Sequence, residues 1–513
     1  MQYSLTDCTV WMRCGPVGAR SGMLKREKHG TVPFCRCTRK GLAMSEETTW
    51  AEEEFGAAQM GDVRRTHRLV ELAEVLGAQP HASLPQATED AAQLKATYRF
   101  FESGYVEPDA ILASHAQATI RRMQDEPVVL AVQDTTLLDY TQFPEIKGLG
   151  PLASSKQRGL LAHTTLAITP DRVPLGLLAQ AVWARDSAVS RDQDHKTRPV
   201  DEKESQKWID SLHAAIAARA LCPNTQIVSV GDREADVYDL FMQERPEGVD
   251  LLVRAAQDRK VDSEEGRLWP AMKTARLAAT VEVDVGERKN QPARFATLEV
   301  RFREVTLRPP KSRAKERLPC IKVWAIWAVE TRPPAGGKAI EWLLLTTIAI
   351  ETTDDALTCL AWYAVRWGIE VWHKVLKSGC QIEQRRLATA FRLTTCLALY
   401  SVIAWRIMYA TMLSRTLPDA PCTMLLDDAE WKGLYCRIHR VSIVPAKPPS
   451  LRQAVRWIGQ LGGFQGRKGD GEPGIQALWK GFQRLAEIAE MYRIMQQPHQ
   501  DSPVGSPEPI ARE

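Results

Sequence analysis

The stretch PVVLAVQDTT, residues 127–136, constrains the fold more than any other part of this chain. Its apolar residues run on without alternating with polar ones, which is the pattern of a strand covered on both faces. Such a strand needs helices on each side of its sheet, and so implies the α/β class. The run stops at Asp134.

The neighbouring segments fit that class. GLLAHTTLAITP (159–170) and VPLGLLAQAVWAR (173–185) read as two more strands joined by a Pro-containing turn. SQKWIDSLHAAIAARA (205–220) has the period of an amphipathic helix, and TQIVSVGDREADVYDLF (225–241) is a strand running through a Gly-Asp turn into a helix. DLLVRA (250–255) is a further short strand, and Asp232, like Asp134, stands at the C-terminal end of a strand. This order predicts a mixed sheet flanked by helices. From about 256 to 345, TARLAATVEVDVG, PARFATLEVRFREVTL and IKVWAIWAVE alternate like antiparallel strands and predict a β-rich insertion, after which IEWLLLTTIAI returns to the core sheet.

With 513 residues, 44% hydrophobic and 25% charged, the chain has ample core and room for several domains. Residues 1–43 hold no sustained period and predict an over-extended or disordered start, with Met44 as the alternative first residue. Residues 44–110 predict a helical DNA-binding module, because Arg64, Arg65, His67 and Arg68 share about one and a half helical turns. The α/β core is expected over 120–395 and a helical domain over 396–495. The last helix carries apolar residues at 475, 478, 482, 485 and 489, a packing or pairing face. Residues 496–513 predict a disordered tail.

A net charge of +4 is too mild to imply a polyanionic partner, yet RFREVTLRPPKSRAKER (301–317) gathers seven Lys or Arg against two Glu. No run of 18 apolar residues or signal-peptide core is present, so the expectation is a cytoplasmic protein with no membrane partner. Of eleven cysteines, four (Cys8, Cys14, Cys35, Cys37) lie in the first 43 residues, and the others have no zinc-type spacing, which reads as reduced thiols.

The stretch YAVRWGIEVWHKVLK (363–377) carries the chemistry. At about 100° per residue, Tyr363, Arg366, Glu370 and Lys377 fall within roughly 60° of one another, and Val365, Ile369, Trp372, Val375 and Leu376 lie opposite. Most such charges on a helix are merely its solvated face. Here a dry back holds a carboxylate beside two cations and a phenol, which suits a metal ligand working next to phosphates. Asp134 and Asp232 at core strand ends supply two further hard oxygen ligands. Three such acids suit Mg²⁺ or Mn²⁺, and two ions of this kind can activate water or a 3′-hydroxyl in phosphodiester cleavage.

These residues resemble the DDE transposases of the insertion-sequence-four family, of the transposon-five type. The resemblance rests on QDTT at 133–136, DEKESQKW at 201–208, GDREAD at 231–236, WLLLT at 342–346 and the Tyr363, Arg366, Glu370, Lys377 signature, in family order. GDVRRTHRLV (61–70), NQPAR (290–294) and LGGF with ALWKGF extend it from about 50 to 490. It departs at Val63, where the relatives have Pro, and in GCQIEQ after Lys377.

The resemblance implies a ribonuclease-H-like core with Asp134, Asp232 and Glu370 as the metal-binding triad. Tyr363, Arg366 and Lys377 would grip phosphates of the transposon end, and Trp342 would stack on a base flipped during hairpin formation. Arg254 matches a family arginine near the active site, and Arg64, Arg65 and Arg68 match the end-binding helix. The implied reaction is cut-and-paste transposition by a homodimer acting on double-stranded DNA. Terminal inverted repeats are bound, cleaved through a hairpin, and joined to target DNA. A non-catalytic transposition inhibitor and a ribonuclease-H-like nuclease are the alternatives.

Overall fold

The computed structural model describes residues 10–11, 49–88, 90–154, 156–186, 204–285, 294–334, 339–467 and 469–496. The expectations for residues 1–43 (apart from 10–11), for 290–293 and for the tail from 497 fall outside them.

Five helices lead into the sheet: α1 (Trp50–Phe55), α2 (Val63–Ala78), α3 (Leu84–Ala87), α4 (Ala91–Glu102) and α5 (Pro108–Met123). Their starts are fixed by the sequence. Thr49, Asp62 and Asp90 accept backbone N–H groups of the first turns of α1, α2 and α4, Ser83 and Gln86 form a capping box on α3, and Pro108 opens α5.

Among the described residues, eleven strands form one sheet. In chain order they are β1 (Val10–Trp11), β2 (Val128–Asp139), β3 (Gly150–Pro151), β4 (Arg158–Ile168), β5 (Pro174–Trp183), β6 (Gln226–Gly231), β7 (Val249–Arg254), β8 (Leu277–Val285), β9 (Arg294–Leu307), β10 (Ile321–Glu330) and β11 (Glu341–Thr346). The spatial order is β1-β8-β9-β10-β11-β7-β6-β2-β4-β3, with β5 also on β4. Strand β2 is antiparallel to β4 and parallel to β6, which is parallel to β7. The helices inserted along this sheet are α6 (Gln206–Leu221), α7 (Tyr238–Met242) and α8 (Leu268–Thr274).

As its unbroken apolar run requires, β2 is covered on both faces. Leu130 and Val132 enter the main core with residues of α9 (Thr353–Val365), α10 (Trp367–Lys374) and α11 (Ala390–Thr416). Val129 and Ala131 face the other way, toward Ala215 and Ala218 of α6. The β-rich segment joins the core sheet edge to edge, since β11 pairs with β10 on one side and β7 on the other.

The chain has no unbroken run of 18 apolar residues, yet α11, at 27 residues, is long and apolar enough to cross a bilayer by length and composition. In the fold it is a core helix, with 83% of its most apolar window buried. Beyond it lie α12 (Asp428–His439), α13 (Leu451–Leu461) and α14 (Ile475–Gln496). The apolar stripe of α14 is used within the chain: Leu478, Phe482 and Leu485 pack with Trp431, Leu434, Val455 and Ile458. Among the described residues seven cysteines are free and five of them buried, as expected of reduced thiols.

One buried carboxylate ties the front helices to the sheet. Glu54 of α1, 3% exposed, accepts hydrogen bonds from His115 Nδ1 and from Arg122 (2.7 Å), both on α5. His115 Nε2 accepts the Leu177 N–H of β5 (3.0 Å), which leaves Nδ1 carrying the proton, while the Arg122 guanidinium lies 4.4 Å from the Trp405 ring of α11. Burial would raise the Glu54 carboxyl, but His115 and Arg122 hold it at about 2 against the usual 4.5. Burial keeps His115 below its usual 6.5, against the pull of Glu54.

Removing Glu54 strands the buried His115 Nδ1–H and the partly buried Arg122 guanidinium, so Glu54→Ala is expected to cost about 3–5 kcal/mol in chemical denaturation. The unfolded chain takes up protons at 6.5 on His115 and at 4.5 on Glu54, whereas the folded chain takes them only at lower pH. Stability from this cluster is therefore complete above about pH 6.5 and is lost on acidification. His115→Asn should flatten the fall in unfolding midpoint between about pH 7 and pH 5.

Candidate active site

Register brings the two aspartates together. Val132 of β2 pairs with Val230 of the parallel β6, so two residues further on Asp134 faces Asp232, on the side of the sheet that α10 covers. Asp134 accepts the Thr135 N–H (2.8 Å), and Asp232 caps the short turn Arg233–Ala235 by accepting the Glu234 N–H (2.8 Å). The preceding Gly231 is required by that turn. A Cβ there would stand 2.4 Å from the Ala235 methyl, which cannot swing aside. The last acid of GDREAD is structural: Asp236 is buried and accepts bonds from Arg259 Nε and from the Ala256 and Gln257 N–H groups. Lys207 of DEKESQKW reaches Glu234 at 3.6 Å, so these two motifs meet.

The third acid comes from α10. Its apolar back is buried as the helical period predicts, with Ile369, Trp372, Val375 and Leu376 all inaccessible. The charged front is not a solvated face, because Tyr363 and Arg366 are buried too. The helix is not continuous: Arg366 joins α9 to α10, and Val375–Gly379 forms a π turn. Arg366 lies between the acids, donating to Glu370 (2.9 Å) with its other terminal nitrogen 3.9 Å from Asp134.

The electrostatics are those of a crowded anionic pocket. Burial raises the Asp134 carboxyl to about 7, Arg366 opposes this, and the charges of Asp232 and Glu370 add to it. Glu370 is raised by burial and by Asp232, against the pull of Arg366. Among the described residues no three His, Cys, Asp or Glu side chains stand in metal-enclosing geometry. The donor chemistry still fits a hard dication, since the charge of Asp232 helps to raise both Asp134 and Glu370, and all three are carboxylates.

The other sequence candidates sit at varied distances from this pocket. Lys377, on the π turn, donates to the Leu137 carbonyl and pairs with Glu383 at 3.4 Å. Trp342, 3% exposed on β11, meets the Tyr363 ring edge-on at 5.5 Å, so its indole is core in this conformation. Arg254 ends β7 and donates to the Glu341 carbonyl (2.9 Å). Arg64, Arg65 and Arg68 lie on α2. Arg64 is 87% exposed beside Asp62, Arg65 stacks 4.5 Å from the Tyr105 ring, and Arg68 pairs with Glu71. Val63 is exposed at the start of α2. Within the basic 301–317 segment, Arg301, Arg303, Arg308 and Arg313 pair with Glu299, Glu265, Asp262 and Asp239.

Sequence reading missed the imidazoles behind the acids. His373 is buried with Nδ1 3.9 Å from Asp134 and no hydrogen-bond partner for Nε2, and burial, with Lys377 and Arg366, takes it down to about 3. His163 of β4 bonds Thr135 at 2.9 Å. The signal for His373 was its position three residues after Glu370 on one helix.

Comparison with known proteins gives two family matches, both outside the carboxylate pocket. Residues 47–106 match the transposase DNA-binding family and residues 402–499 match the Tn5 transposase dimerisation domain. Both matches support a Tn5-like transposase. A cryo-EM structure of a piggyBac transposase synaptic complex with hairpin DNA aligns with 72% of this chain and 72% of its own, at 9% identity and a TM-score of 0.32.

Because Asp134 is held up at about 7 against its usual 3.8, its ionisation works against the fold. The folded state keeps the proton over that interval while the unfolded state loses it, so stability from the protonated form is present at low pH and gone above about 7. Asp134→Asn is expected to stabilise the metal-free protein by roughly 1–3 kcal/mol at pH 8, with the gain shrinking toward pH 4, read by denaturant titration.

Proposed function

We propose that this transposase cuts and joins DNA as a DDE enzyme, with Asp134, Asp232 and Glu370 as the ligands of two Mg²⁺ or Mn²⁺ ions. The observation that carries the reading is Arg366 set between Asp134 and Glu370, with Asp232 beside Asp134 at the neighbouring strand end and its charge felt by both acids. The order β5-β4-β2-β6-β7, antiparallel through β2 and parallel after it, supports a ribonuclease-H-like core. The ions, when bound, would supply an activated water or 3′-hydroxyl and offset charge on the leaving oxygen.

The chain's own groups do the rest. Asp134 and Glu370 release Arg366, which turns to a phosphate beside the scissile bond and offsets its charge. Lys377 takes a second phosphate, and Tyr363 takes another once DNA is bound. Trp342 lies behind Tyr363, so its stacking on a flipped base requires Tyr363 to move. His373 stays neutral and supports Asp134 from behind. The α2 arginines contact the terminal inverted repeats, Arg254 lies along the DNA path, and a homodimer built through the C-terminal domain holds two ends. Cleavage through a hairpin and joining of the 3′ ends to target DNA complete the cycle, in the cytoplasm at the nucleoid.

The test incubates the protein with Mg²⁺ and DNA bearing the inverted repeats that flank its reading frame. Hairpin-ended fragments are expected, and Glu370→Ala should abolish them while leaving end binding. Cleavage by Glu370→Ala at the wild-type rate overturns the assignment. Arg366→Ala should weaken end binding and reduce the slope of log affinity against log salt by about one phosphate contact. An unchanged slope removes Arg366 from the phosphate role.

A further inference from the structure

Lys377 is held away from the acids it was expected to flank. Its ammonium donates to the carbonyl of Leu137, three residues along β2 from Asp134, which at about 3.3 Å per residue puts it roughly 10 Å down the strand. The group that holds it there is Glu383, with the carboxylate 3.4 Å from Nζ.

The two partners differ in how firmly they are fixed. Glu383 accepts the Asp139 N–H at the end of β2 (2.9 Å), and the neighbouring Ile382 carbonyl accepts the Tyr140 hydroxyl (3.0 Å). Two residues on, buried Arg385 donates to the carbonyls of Pro80, Ala82 and Cys380 and stacks 4.4 Å from the Tyr400 ring. These bonds pin the turn that carries Glu383 to β2, to α11 and to the loop between α2 and α3. Lys377 has only a flexible stem rising from a π turn, with left-handed Gln381 between it and Glu383. A pinned anion therefore faces a movable cation.

We propose that Glu383 is an internal counter-anion that occupies Lys377 until a DNA phosphate displaces it. This rests on the reading of Lys377 as a phosphate contact. Glu383 is then a positioning residue acting through Lys377. The pair, 29% and 26% exposed, still reaches solvent and is weak enough for phosphate to win, and it discriminates against duplexes that bring no phosphate to this point.

Glu383→Gln separates charge from structure, because the amide oxygen still accepts the Asp139 N–H. Affinity for a duplex carrying the flanking inverted repeat is measured over a salt series for wild type, Glu383→Gln, Lys377→Met and the double variant, with thermal melting as the folding check. The expected result is about two- to fivefold tighter binding by Glu383→Gln and weaker binding by Lys377→Met. In the Lys377→Met background the gain from Glu383→Gln should vanish. A gain that persists without Lys377 is a general field effect and overturns the proposal, as does no gain, or a loss, in Glu383→Gln while Lys377→Met binds weakly. Unchanged binding by Lys377→Met overturns the phosphate reading itself. If Glu383→Gln melts early, Glu383→Met is measured in its place, with the same coupling to Lys377 required.

Discussion

The Arg366 guanidinium between Asp134 and Glu370 is the interaction on which the site's geometry depends. Two carboxylates with a third nearby repel one another in a pocket poor in water, and a buried cation is what lets them stay close. For that cation to be where it is, α10 must press against the sheet. It does so because Ile369, Trp372, Val375 and Leu376 are buried behind it, and because Gly368 lets Ile168 of β4 approach to a distance at which a Cβ would stand 2.8 Å from its terminal carbon. Packing free energy from the back of the helix thus offsets the electrostatic strain on its front.

Much of this was legible in the sequence, for identifiable reasons. The continuous run before Asp134 required a doubly covered strand, and a strand of that kind presents its last polar residue at an edge where helices meet it. Arg366 and Glu370 are four residues apart, so their contact follows from helical geometry alone. The apolar back of α10 follows from the same period. What the period could not give is where it stops holding. The π turn at Val375–Gly379 changes the phase, so Lys377 leaves the line of Glu370 and reaches Leu137 instead.

Contacts between residues far apart in the chain were the other blind spot. The arginines of 301–317 read as a basic patch, but several meet acids at 239, 262 and 265 that no local pattern connects to them. Trp342, for which the resemblance implied a base-stacking role, lies on β11 against Tyr363, a neighbour no local pattern connects to it. The apolar stripe of α14 was open to packing or pairing, and α12 and α13 take it up within the chain. In each case the side chain was noticed and its partner was not.

The same long-range bonding links the segment that matches the transposase DNA-binding family to the turn after Lys377. Glu54 fastens α1 to α5 and β5 with Trp405 of the dimerisation region alongside, and Arg385 fastens the loop at Pro80 and Ala82 to the turn after Lys377. Both bonds are buried and charged, which makes them costly to break one partner at a time and sensitive to small displacements. The loop that follows α2 is therefore joined to the turn bearing Glu383 by direct bonds.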